Sequence, residues 1–429
     1  MSKTNMASGD RLAMTQQAVG LFAQYMQSST LNGLLTGAMP KNESQVEKTL
    51  RKQTSTEMPI VRVQDLGKHK GDEVSFYLMN PVGGYPIMGS NYAEGRGLGM
   101  SMVEDKLRVN QARFPIDAGN VMTEHRSPFS YRKLARPVAD RLMRDYCDQS
   151  ILVHMAGARG YHNNIEWRIP LETDPKFKEI MVNPVKAPSK NRHFMVKGGG
   201  LVPFKDNSGV VDIASTDVFG LDAVDSAKTL LDEMPLPPPP VKCEGDASAD
   251  DSPLRVWLVS PAQYNAFAAH KDFRSFQAAA FNRASNAKSH PLFKGDVGLW
   301  NGFIIRKMPR PIRFYAGNPI KYCASHILET ESSATVPADF ASGNFAIDRS
   351  IILGGQALAE ALAASGQSGI PFFWSEKELD HGDKFEILVG AIRGVSKIRF
   401  NIDRGDEGQQ ITDHGIIVVD SVVKVPSNG

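Results

Sequence analysis

From Tyr131 to Gly157 the chain reads YRKLARPVADRLMRDYCDQSILVHMAG. Leu134, Val138, Leu142, Tyr146 and Ser150 recur at every fourth position, and Val153 and Gly157 continue the stripe. This period predicts a long amphipathic helix with one face on a core. The opposite face is charged: Asp140 and Arg144, Arg141 and Asp145, and Arg144 and Asp148 are spaced to pair across successive turns. Pro137 suits a first helical turn, so the regular helix is expected to start near it. From there to Ala156 it would run roughly 30 Å, with Gly157 and Gly160 available to end it. Such a helix is a girder rather than a catalytic element.

Other patterns frame it. Residues 1 to 60 are polar apart from a stripe at Leu12, Val19, Phe22 and Met26, which predicts an extended arm with one short helix needing a surface to lie on. Val74, Phe76 and Leu78 alternate with polar or outward positions, a glycine-rich stretch covers 89–99, and KLRVNQARF at 106–114 alternates again. Two strands joined by a long glycine-rich connection predict a loop projecting from a body, and loops this long are usually functional. Thr216 and Asp217 could cap a helix through Leu221, Val224, Leu230 and Leu231. PLPPPP at 235–240 is a stiff spacer leading into the acidic stretch EGDASADDSP. RVWLV at 255–259 is a buried strand, and Ser260, Pro261 and Gln263 start a helix with a capping box. A helical pattern follows at Phe273, Phe276 and Phe281, then a hairpin turning at Asn301-Gly302. Ile351 to Ala364 is expected to form another helix, and the end is rich in strands: FEILVGAI, KIRF and GIIVVDSVVKV. Residues 166–195 show no clear period.

At 429 residues the chain exceeds one compact core, so two or three lobes are expected. A hydrophobic content of 41% supports real cores, and a net charge of +2 gives no bulk-charge reason to bind nucleic acid or membrane. Cys147, Cys243 and Cys323 are far apart, which suggests a reducing compartment and no zinc ribbon. The amino terminus is polar where a signal peptide would be apolar, and the two least charged stretches are too polar to span a membrane.

Candidate chemistry is sparse. No Walker loop is present, and EGRGLG at 94–99 sits in the projecting loop rather than between strand and helix. Ser285 and Lys288 match S-x-x-K, but the supporting S-D-N and K-T-G are missing. The histidines are dispersed, and Asp246, Asp250 and Asp251 lack the glycine and terminal glutamate of a calcium loop. Nothing converges into a catalytic cluster, so neither cofactor, metal nor enzymatic turnover is expected.

The ordered set is nevertheless specific: GDEV opening a glycine-rich loop, R-x-L-A-R-P-x-A-D-R-L ending in GARG, VWLVSPAQY, PLFKGDVGLWNGFIIRKM, ILGGQAL, and IRGVSKIRF with DHGIIVVD. It resembles the major capsid proteins of tailed bacteriophages, in particular the coat family of podoviruses related to coliphage N-four. The resemblance implies an α+β, Hong Kong ninety-seven-like capsid fold. Residues 1–64 would be an N-terminal arm and 65–116 an extended E-loop. Residues 117–250 would be a peripheral domain with its spine helix at 131–157 and an uncharted insertion. Residues 251–384 would be an axial domain, and 385–429 strands returning to the peripheral sheet. Contacts between subunits would come from Tyr77, Met79, Tyr85, Tyr92, Glu94 and Arg96 on the loop and from Leu12, Phe22 and Tyr25 on the arm. The implied function is self-assembly into hexamers and pentamers of an icosahedral head around double-stranded DNA, held without sequence-specific binding. Portal, scaffolding or decoration proteins would be partners, no membrane would be involved, and assembly in the host cytoplasm would place the product in the virion. Some coats of this fold cross-link through a loop lysine; residues 80–102 contain none, so a non-covalent shell is expected. The alternatives are an encapsulin-like protein compartment and a hydrolase using Ser285 and Lys288.

Overall fold

The computed structural model describes residues 11–25, 30–37, 54–55, 57–63, 73–79, 86–89, 94, 102–128, 130–242, 253–270, 297–363, 371–403 and 409–425. Two sheets dominate it. One is five-stranded: Ile60–Val63, Leu358–Leu362, Lys384–Lys397 and Phe372–Leu379 follow in that order, and Asn110–Asn120 pairs along Lys384–Lys397. The other is eight-stranded, running Val297–Trp300, Phe303–Lys307, Arg255–Val259, Phe345–Leu353, Ile416–Lys424, His193–Lys197 and Gly200–Pro203, with Ile312–Phe314 beside Phe345–Leu353.

Both faces of the eight-stranded sheet are covered, which is why its strands read as continuous apolar runs. Alternation divides them: Trp257, Val259, Ile352 and Val419 meet the helices Leu221–Glu233 and Pro261–Ala268. Val256, Leu258, Ile351 and Val418 face the opposite way, toward the end of the long helix at Ile151 to Ala156. The Ser260 capping box forms as expected, with Gln263 Nε2 reaching on to Asp348 O and Ser421 Oγ at 3.0 and 2.8 Å. The hairpin at Asn301-Gly302 also forms, with both turn residues at positive φ.

The long helix spans Tyr131–Ala156 and carries Pro137 inside it, so it starts six residues before the expected point. Pro137 would otherwise bond to Lys133 O, and the first turn is held instead by Lys133 N and Leu134 N donating to Ser130 O. Its core face is displaced by one residue from the expected stripe. Ala135, Ala139, Met143 and Cys147 are buried on the five-stranded sheet, while Leu134 and Val138 are 50% and 49% exposed. Two alanines let the helix lie close on Ile387, Val389 and Ala391, and the larger aliphatics turn outward. The same shift occurs in the amino-terminal helix Arg11–Tyr25, whose buried positions are Ala18, Leu21 and Tyr25 while Val19 is exposed.

Ile351 to Ala364 is not a helix. It is the end of one buried strand and the whole of another, Leu358–Leu362, which carries the chain from the eight-stranded to the five-stranded sheet. Between them Gly354 passes so close to the proline segment that an added Cβ would lie 2.2 Å from Pro239 O. A helix of alanines and leucines is locally favourable, but pairing with Lys384–Lys397 on one edge and Ile60–Val63 on the other overrides that preference. The proline segment itself lies on the body, with Pro238 O accepting from Arg255 and Pro239 O from Gly355 N.

Ile416–Lys424 lies in the eight-stranded sheet rather than returning to the one that holds Lys384–Lys397, and Leu358–Leu362 and Phe372–Leu379 lie in the five-stranded sheet. Residues 193–203, which begin at the end of the stretch without clear period, and the expected helix, now Leu221–Glu233, complete the eight-stranded lobe. Asp217 caps the loop before the helix, accepting from Gly198 N and Ala214 N, and the helix begins after Gly220. The stretches at 273–284 and 244–252 fall outside the described residues, as does Cys243.

Candidate assembly site

One hairpin is set apart by its exposure: Glu73–Met79 paired with Met102–Arg108. Along the second strand burial alternates between exposed and half-buried until Leu107, which is fully buried. Glu73 pairs with Arg108 at 2.7 Å and Ser75 donates to Glu104 at 2.5 Å, both in solvent-exposed positions. Val74 and Val103 turn one side of the ribbon toward the core around Leu107, and Glu104, Lys106 and Arg108 stand exposed on the other.

Its base is fixed by a few specific contacts. Leu107 joins Ala359, Ala361, Ile398 and Phe400 in a small core. Asn183, 4% exposed, accepts from Arg108 N at 2.8 Å and donates to Arg108 O and Val395 O at 2.9 and 3.0 Å. Gly394 lets the chain pass there: a Cβ would lie 2.0 Å from Arg108 O. Beyond Val109 the same chain leaves its hairpin partner and joins Lys384–Lys397 as Asn110–Asn120. Asp105 adds a tether, accepting from Lys186 at 3.4 Å and from Arg399 N at 3.2 Å.

The body is braced by four buried acids, each held by arginine. Glu360 accepts from Arg62 Nε at 2.8 Å and Arg393 Nη2 at 3.1 Å, and also takes the Tyr25 hydroxyl and Asn32 Nδ2. Asp413 binds Arg399 at 2.7 Å, Lys397 at 3.0 Å and Ser189 N at 3.0 Å. Asp420 takes two bonds from Arg349, at 2.8 and 2.9 Å, and faces His193 Nε2 at 2.8 Å, while Arg349 Nη1 reaches Ala156 O at the end of the long helix. Asp348 holds Arg313 in a two-bond fork at 2.6 and 2.8 Å. Burial alone would raise these carboxyl groups; the guanidinium partners reverse that and hold Glu360, Asp413 and Asp420 below the usual carboxylate range. None of this was anticipated from sequence, although the signal is there: a charged residue inside an apolar strand, as in LAEAL, AIDRSII and IIVVDSVV.

Of the residues expected at subunit contacts, Glu94 is exposed, and Tyr77 and Met79 lie on the first hairpin strand. Tyr85, Tyr92 and Arg96 fall outside the described residues, as do Ser285 and Lys288. Leu12 is on the amino-terminal helix. Phe22 and Tyr25 pack on Phe372 of their own subunit, at ring distances of 6.0 and 5.1 Å; Phe22 is half-buried, and Tyr25 is 1% exposed with its hydroxyl on Glu360. Of the three expected helix ion pairs, Arg141 and Asp145 approach to 3.8 Å. Asp140 acts on Arg144 only at longer range, and burial raises its carboxyl pKa. Asp148 turns away from Arg144 to accept from Leu31 N and Asn32 N, and its burial pushes it up to about 6.

A family model described as phage capsid protein matches residues 5–425. Among solved structures, the capsid of Ralstonia phage GP4 is similar with a TM-score of 0.66 and 22% identity, over 87% of this chain and 90% of that one. The cyanophage Pam1 capsid gives a TM-score of 0.54 and 14% identity over 99% and 95%. The capsid of Helicobacter pylori bacteriophage KHP30 gives 0.53 and 11% over 86% and 88%. No curated protein matches the chain. The fold is thus the mixed α+β capsid fold of tailed phages, Hong Kong ninety-seven-like, and a family match that runs from residue 5 to residue 425 shows that the chain belongs to the phage capsid proteins, structural components of the virion rather than enzymes.

Proposed function

We propose that the chain forms the hexamers and pentamers of an icosahedral head enclosing double-stranded DNA, and that the hairpin Glu73–Met79/Met102–Arg108 is the part that laps a neighbouring subunit. The observation that carries this is the contrast at its base: Leu107 and Asn183 anchor the ribbon firmly, while the second strand exposes Met102, Glu104, Lys106 and Arg108 along one side. Identical bodies joined head to tail through such an arm close into rings, and rings sharing edges build a shell. The outward Leu134 and Val138 of the long helix supply an apolar strip for such packing. Because residues 80–102 lack lysine, the shell is held without covalent cross-links. Portal, scaffolding and decoration proteins complete the particle, which assembles in the host cytoplasm.

The test is sedimentation velocity with negative-stain imaging of the purified full chain, beside a variant in which residues 80–101 are replaced by a short Gly-Ser turn. The full chain should give rings or shells, and the shortened one folded subunits that fail to close. Shells of unchanged size from the shortened variant would remove the hairpin from the lock. Denaturing electrophoresis of assembled particles should release single chains; a ladder would overturn the non-covalent reading.

A further inference from the structure

Beside the open edge of strand Asn110–Asn120 lies a cleft of about 490 Å³, walled by the long helix and the short helix Lys176–Ile180. It has no part in the ionic braces except through one residue. Arg113, Arg168, Lys176 and Arg393 line it, against a single carboxylate, Glu179, with Phe114 on the strand side. A smaller chamber of about 20 Å³, room for one water, shares Arg393 and adds Ser150 and His154.

The arginines here have unmet hydrogen bonds. Arg393 is 4% exposed; its Nη1 donates to Ser150 Oγ and its Nη2 to Glu360, but among the described residues its Nε finds no acceptor. Glu360 cannot turn to serve it, being shared with Arg62, Tyr25 and Asn32. The Nε of Arg168 is likewise buried without a partner. Among the described residues Arg113 and Lys176 have no ion pair that would neutralise them. A buried guanidinium N–H without an acceptor is destabilising, and a pocket edged by further cations favours a ligand that brings several acceptor oxygens and negative charge. Guanidinium planes and ammonium groups around a small cavity are the donor set that suits a tetrahedral oxyanion.

We propose that this cleft binds a phosphate-class oxyanion, with Arg168 and Lys176 at its mouth and the Nε of Arg393 on its inner wall. The same chemistry is offered by free inorganic phosphate and by the phosphodiester backbone of nucleic acid. The site stands apart from the assembly reading, since its binding is measured on the subunit whether or not shells form.

The experiment is isothermal titration of the full chain with inorganic phosphate and, separately, with a short single-stranded oligonucleotide, at constant ionic strength set with chloride. Binding of one phosphate per chain with a Kd of about 1 mM or tighter is expected. The double variant Arg168→Gln, Lys176→Gln should weaken it by about tenfold or more, while Lys424→Gln, exposed on the other sheet, should leave it unchanged. Circular dichroism checks that each variant is folded, and the single Lys176→Gln, exposed on its short helix, serves if the double variant is not. Binding of the oligonucleotide alone, with the same dependence on Arg168 and Lys176, would assign the site to nucleic-acid backbone. Failure of both probes to bind, or equal affinity in the double variant and Lys424→Gln, would overturn the proposal.

Discussion

Two antiparallel pairs in this molecule have the same backbone pattern and opposite surroundings. Phe345–Leu353 and Ile416–Lys424 pair over nine positions in the middle of a covered sheet, and every residue of the first from Ala346 to Leu353 is buried. Glu73–Met79 and Met102–Arg108 pair over seven, and their charged residues Glu73, Glu104, Lys106 and Arg108 lie in solvent. In the first, Asp348, Arg349 and Asp420 are buried charges that must have partners, so they define which strand lies where. In the second, exposed ion pairs contribute little because water screens them and two long side chains lose freedom in forming them. The covered pair is fixed by its buried charges, whereas the hairpin's exposed pairs leave it to the anchor at its base.

The largest effect should come from breaking the body. Asp420→Ala leaves Arg349 buried without its acceptor and should cost about 3–5 kcal/mol in urea unfolding of the subunit. Arg349→Met combined with Asp420→Leu should recover most of that loss, since two well-packed apolar side chains can replace a buried pair. A loss in Asp420→Ala no larger than that of a surface mutant would erase the contrast between the two pairs.

Next comes the hinge. Asn183→Ala removes three hydrogen bonds from the buried base of the hairpin and should cost about 1–3 kcal/mol. Limited proteolysis should show new cleavage near Val109 while the sheets stay resistant; unchanged cleavage would mean that Leu107 alone secures the hairpin.

A smaller and graded effect concerns pH. Burial lowers His154 to about 3 and His193 and His414 to about 4. Each is neutral when folded and takes up a proton when unfolded, so its contribution is complete above about 6.5 and is lost as pH falls toward 4. Asp148, raised by burial to about 6, has the opposite sign: it favours the folded state at low pH and loses that contribution as pH rises through 6. Burial also lowers His162 and raises Asp140, so four histidines against two aspartates predict a net fall in the urea midpoint from pH 7 to 4.5. Asp148→Asn should raise the midpoint at pH 8 and steepen that fall; a midpoint that rises on acidification would reverse the assignment.

The smallest effect is expected on the hairpin surface. Glu73→Gln breaks the exposed pair with Arg108 and should leave subunit unfolding unchanged within error. A clear loss there would mean that the ribbon is braced within its own subunit.

Local signals that depend on neighbours along the chain were legible. The capping box at Ser260, the Asn301-Gly302 turn, the buried strand at 255–259 and the existence of the long helix all follow from contacts within a few residues. The helix face was read one residue off because the largest apolar side chains were assumed to point inward. Close approach to the sheet instead selected Ala135 and Ala139. Ile351 to Ala364 was misread because an alanine- and leucine-rich run has no period that separates helix from central strand. The anion cleft was invisible, since Arg113, Arg168, Lys176 and Arg393 come together only when distant segments pack.

The sequence by itself therefore determined the parts: an amphipathic girder, two alternating strands that pair as a hairpin, apolar strands, and an order of motifs specific enough to indicate a phage coat. Only the tertiary structure decided how Glu360, Asp413 and Asp420 find their arginines, which sheet takes the last strand, and that Tyr25 belongs to its own core. The physical reason is range. Periodicity and capping are settled by residues a turn or two apart, whereas the partner of a buried charge is settled by which strands, hundreds of residues apart in the chain, are brought side by side.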